Sequence, residues 1–90
     1  MMKMNNKKFP SSDIVRELKY HRIALTMYRP HPYYELIVSP HLAEIERIEG
    51  ILKKRLELLN NAHKKGDYEG FVDIEGEILF IQDVLSESDQ

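Results

Sequence analysis

His41 and Glu44 stand three residues apart in the stretch SPHLAE, inside a pattern that predicts a helix. Residues at that spacing share a helix face, and a His–carboxylate pair of this kind supplies ligands in di-metal helical bundles. The chain carries no second copy of the pair. A surface pair is therefore the plainer reading. A metal-dependent enzyme would need an oligomer to gather several copies of His41 and Glu44. His21 falls on the apolar side of a first helix and reads as a partly buried histidine rather than a base. His31 belongs to a turn, and His63 to a helix's last turn, where positive charge is favoured. There is no cysteine, which excludes a thiol nucleophile, a disulfide and a thiolate zinc site. The serines lie at caps or in the tail without a histidine pattern, and no glycine loop suits a phosphate. The chemistry-bearing residues thus predict a protein that is not an enzyme, with no catalytic residues, metal or cofactor.

Binding chemistry is better represented. Two helical runs keep an interior glycine, in IEGIL and in IEGEIL. At about 100° per residue, Gly50 falls behind the stripe centred on Ile48 and reads as a tolerated surface position. Gly76 falls behind the stripe centred on Ile78, and Phe80 lies one turn later on the same outward side. Val72 lies one turn earlier, Leu79 flanks it, and Asp83 belongs to the acidic rim. An aromatic beside a glycine gap within a charged rim has the form of an interface anchor. The expected partner surface is therefore Phe80, Gly76, Val72, Leu79 and Asp83. An exposed single aromatic is the ordinary alternative.

Charge is distributed unevenly although the formal net charge is only -2. Lys3, Lys7, Lys8, Arg16, Lys19, Arg22 and Arg29 precede His31, whereas no Lys or Arg follows Asp67. The two ends are expected to attract each other, within the fold or across an oligomer. Alternatively, one end meets a charged partner. Lys7, Lys8, Arg16, Lys19, Arg22 and Arg29, with Tyr20, Tyr28, Tyr33 and Tyr34 nearby, could contact phosphates and stack bases of a single strand. Nucleic-acid or nucleotide binding is the alternative function. The acidic pI of about 6.1 speaks against it.

These residues need elements to position them. Ninety residues is near the lower limit for one core, and chains of this size often oligomerise to complete their burial. Residues 1–11 are expected to form a flexible basic N-terminus without the apolar stretch of a secretory signal, and 12–90 a single helical domain. No apolar run approaches the roughly 20 residues that span a bilayer, so a cytoplasmic setting is expected. Ser11, Ser12 and Asp13 offer N-caps for a helix over 12–28, whose face carries Ile14, Leu18, His21, Leu25 and Tyr28. Over 22–38, RIALTMY and YYELIV around RPHP admit a β-hairpin instead. Pro32 can open a short helical turn through Val38. Ser39 and Pro40 then predict the start of a long helix. That helix should run to Lys65, with Ile45, Ile48, Leu52, Leu59 and Ala62 on its stripe, widened by Leu42, Ile51, Leu56 and Leu58. A stripe so wide predicts a dimer or higher oligomer. Gly66 should close the helix and Asp67 cap the next one at once. The last helix should run to about Ser86 with Phe71, Ile74, Ile78, Ile81 and Leu85 inward. The predicted fold is all-α: an antiparallel two-helix hairpin over 40–87, of coiled-coil type, with an N-terminal helix packed on it.

The stretches HPYYELIVSPHLAEIERIEGILKKRLE and GDYEGFVDIEGEILFIQDVL resemble short helical-hairpin proteins encoded by tailed bacteriophages. The matching positions are His31, Pro32, Tyr33, Gly66, Asp67, Gly76 and Ile78, over about the last sixty residues. These are capping and packing motifs, and the basic N-terminal segment lies outside them. The resemblance implies no activity, only a small virion-associated or host-directed protein. Together with the residue reading it points to an interaction or assembly module that binds itself, another protein, or both, with no membrane partner.

Overall fold

The computed structural model describes residues 8–71 and 73–87 and contains three helices, α1 (Ser12–Met27), α2 (Tyr34–Lys65) and α3 (Ile74–Ser86), with no strand among the described residues. Lys3, Lys7 and Val72 lie outside them.

α1 starts where Ser12 Oγ accepts the Phe9 N–H at 2.8 Å and the Ser12 N–H reaches the Phe9 carbonyl. Ser11 holds the N-cap position without a side-chain cap bond. Its hydroxyl donates instead to Glu77 Oε2 at 2.8 Å, and Ser11 is buried. Phe9 and Ser11, at the end of the segment expected to be flexible, are thus hydrogen-bonded to α1 and α3. Val15, Leu18 and Ala24 are buried, Ile14 packs on the core, and Tyr28 at the α1 C-cap is exposed. Residues 22–38 form the end of α1, a turn and the start of α2, so the β-hairpin alternative is not adopted. Pro30 and Pro32 lack the N–H groups a ladder would need.

α2 begins earlier than Ser39 and Pro40 predict. Its N-cap is Tyr33, whose N–H donates to His31 Nδ1 at 3.0 Å, and Pro40 lies inside the helix. Proline removes its own bond to the carbonyl four residues back, and its ring crowds that carbonyl. Pro40 is exposed, so that carbonyl can tilt towards water while buried Val38 holds the preceding turn in place. The other end follows expectation. Gly66 takes φ +73°, its N–H bonds the His63 carbonyl, and the Asp67 N–H bonds the Ala62 carbonyl at 2.9 Å. That pair of bonds is a Schellman closure.

Asp67 does not cap α3. Its carboxylate accepts the Glu69 N–H, Phe71 N–H turns back to the Tyr68 carbonyl, and Gly70 sits at φ +85°. A helix cannot pass through that glycine conformation, so α3 starts at Ile74. Asp73 is its cap and accepts the Gly76 N–H at 2.9 Å.

α1 packs on α2, and α2 on α3. The core joins Val15 and Leu18 of α1, Ile48, Leu52, Leu59 and Ala62 of α2, and Ile74, Ile81 and Val84 of α3. Ala24 and Val38 are buried outside that cluster, where the α1–α2 pair continues. The molecule measures 52 × 33 × 19 Å. No described helix is long and apolar enough to cross a membrane.

Candidate interaction surface

Glu77 ties the three helices together. α3 buries it almost fully, at 3% exposure. Arg55 of α2 holds it bidentately, Nε to Oε2 at 3.1 Å and Nη2 to Oε1 at 2.9 Å, and Ser11 donates to Oε2. The Arg55 guanidinium also lies 5.4 Å from the centre of the Phe71 ring. A buried carboxylate needs such compensation, since its desolvation is costly. The sequence reading did not single out Glu77. The signal that marks it is its position three residues after Ile74 and four before Ile81, on the face that those two bury.

The expected anchor is rearranged. Phe80 is half-buried, packs on the core and meets the Phe9 ring with centroids 5.1 Å apart. Its aromatic partner therefore comes from the same chain, a correction to its placement on an outer wall. A Cβ at Gly76 would fall against the Asp73 carboxylate, so the group approaching Gly76 is the α3 cap. Around Gly50 nothing lies within 4 Å, as for a tolerated surface position. Leu79 is 66% exposed and Asp83 is exposed.

The basic residues are dispersed. Lys8 and Arg16 both approach Asp13, at 3.6 and 3.5 Å. Arg22 joins Glu49 of α2 at 3.2 Å and Glu87 of α3 at 3.5 Å. Lys19 and Arg29 are exposed and form no ion pair among the described residues.

His41 and Glu44 do not act as a pair. Glu44 Oε1 accepts from Arg47 Nη2 at 2.6 Å, and this hydrogen bond holds the Glu44 carboxyl below its ordinary range. A lowered carboxyl pKa adds stability above its unfolded value and loses it as pH falls through the folded one. His41 turns instead to His21 of α1, Nδ1 to Nδ1 at 2.8 Å, with Tyr20 edge-on to both rings. Their sequence separation hid this contact: only the packing of α1 on α2 brings the two rings together. His63 reaches Glu75 Oε2 at 2.9 Å.

A row of exposed apolar side chains lies on α1. Tyr20, Ile23 and Met27 recur at spacings of three and four and are 62%, 58% and 65% exposed. They stand opposite the buried Leu18 side, so α1 is apolar on two faces and has only one covered. Around the helix edge, Leu25 and Leu42 flank a groove of about 450 Å³ with Arg22 and Arg29 at its rim. Comparison with known proteins found no matching family model, curated protein or solved structure.

Proposed function

We propose that this protein is a non-enzymatic assembly module that associates with a second copy of itself through α1. The observation that carries the reading is the uncovered row Tyr20, Ile23 and Met27. A helix that is apolar on both sides is normally buried on both. Side chains at this spacing form the ridge that another helix's groove receives. The second copy supplies an identical ridge, as a two-fold interface requires. The reading takes neighbouring helices as antiparallel. The order of contacts supports this, from His63–Glu75 through Arg55–Glu77 to Glu49 and Glu87 meeting at Arg22. The resemblance to phage helical-hairpin proteins adds a setting: a virion, or the cytoplasm of a bacterial host.

The test is the mass in solution across a concentration series. The wild-type chain is expected to form a dimer or larger species, and Ile23→Glu with Met27→Glu a monomer of unchanged helicity. A wild-type chain that stays monomeric at every concentration overturns the reading.

Lys19 and Arg29, exposed beside Tyr20, Tyr28 and Tyr33, favour a second reading: contact with a single-stranded nucleic acid. Binding to an oligonucleotide should then weaken steeply with salt, and Lys19→Ala with Arg29→Ala should flatten that dependence by about two phosphate contacts. Absence of binding at low ionic strength removes this reading.

A further inference from the structure

We propose that His21 and His41 form a two-imidazole site for a divalent transition-metal ion, Cu²⁺ or Ni²⁺, which staples α1 to α2. The two Nδ1 atoms are 2.8 Å apart and the ring centroids 5.0 Å apart, so both nitrogens lie between the rings. One ring comes from each helix, and both residues are half-buried. Imidazole nitrogens bind such ions at about 2.0–2.1 Å. Two donors at that radius on adjacent corners of a square plane are roughly 2.9 Å apart, and in a tetrahedron roughly 3.4 Å. The observed spacing is that of the N–H···N hydrogen bond and lies close to the adjacent-corner value, so a small turn of the rings suffices, and Cu²⁺ and Ni²⁺ are the ions that favour such a tetragonal arrangement of nitrogens.

Ligation replaces the present N–H···N hydrogen bond. The ring that donates moves its proton from Nδ1 to Nε2, so both neutral rings offer an Nδ1 lone pair and no proton leaves the site. Each ring then turns about its Cβ–Cγ bond to aim at the ion rather than at its neighbour. The described residues contain no cluster of three or more potential ligands. Two protein donors therefore hold the ion and water completes its sphere. Glu44, one turn from His41, is engaged by Arg47.

The staple falls where it has most to do. Ala24 and Val38 are the only residues buried beyond the main core on this part of the α1–α2 pair, among the described residues. An ion that binds only the folded pair raises its stability by mass action.

The experiment is thermal unfolding of the full chain, purified without an affinity tag, in Ni²⁺ or in chelator. At about 100 times Kd the midpoint is expected to rise by roughly 10–20 °C. His21→Ala and His41→Ala should each abolish the rise, whereas His31→Ala with His63→Ala should keep it. His41→Gln retains a hydrogen-bonding side chain and separates ligation from packing: it should fold and lose the rise. If the alanine variants do not fold, Cu²⁺ broadening of the imidazole NMR signals gives a second readout. Loss of the His21 and His41 signals before those of His31 and His63 supports the site. An unchanged midpoint in Ni²⁺, an equal rise in His41→Gln, or simultaneous broadening of all four histidines overturns it.

Discussion

Gly76 and Gly50 occupy similar places in their helices but answer to different neighbours. Nothing surrounds the position of a Cβ at Gly50, so Gly50→Ala should stabilise the protein by about 0.5–1 kcal/mol, the ordinary helix-propensity gain. At Gly76 the same methyl displaces the Asp73 carboxylate from its cap bond, which costs about 1 kcal/mol. Gly76→Ala should therefore be close to neutral. Chemical denaturation of the two single variants checks both statements. The helical wheel assigned Gly50 correctly because an empty back face needs no tertiary information. It missed Gly76 because the approaching group is a carboxylate three residues away, set by where α3 begins. Glu77 escaped the sequence for a related reason. A carboxylate among isoleucines reads as solvated until its cation is known, and Arg55 lies 22 residues away.

Among the elements, those closed by local chemistry were the legible ones. Gly66 after Lys64 and Lys65 specified its own left-handed closure. The starts of α2 and α3 were misread because a local signal lost to its surroundings. Ser39–Pro40 is a good opening for a helix, but Tyr34 to Val38 already formed a turn that Val38 anchors by burial. Pro40 is then an interior defect whose missing bond leaves the Leu36 carbonyl without its helical donor. Pro40→Ala should restore that bond, raise the helical signal and stabilise the protein by about 1–3 kcal/mol. An unchanged melting curve would mean that the preceding turn contributes nothing to α2. Asp67 was mistaken for a cap because Gly70, three residues on, takes a left-handed conformation through which no helix continues.

For the whole molecule, α2 is the spine on which both other helices lie. The uneven charge of the sequence becomes intelligible there. Glu87 of the acidic last quarter meets Arg22 of the basic first third, so one ion pair between the two ends forms within the fold. The all-helical class followed from periodicity, while the pairing of Phe80 with Phe9 did not. Residues that are distant in sequence and lack a periodic relation carry no signal of their contact.

The hydroxyl of Ser11 and the carboxylate of Glu77 are 66 positions apart, so their bond closes most of the chain into a ring. Closing so large a ring is slow in entropy, and its reward arrives only after α2 and α3 are aligned. The bond should therefore act on the way out of the native state and hardly at all on the way in. Ser11→Ala is expected to cost about 2 kcal/mol, to speed unfolding roughly thirtyfold and to leave the refolding rate within about twofold. Stopped-flow chevrons measure both arms. The lifetime of the native protein, more than its rate of formation, is thus in the keeping of one serine at the mouth of α1.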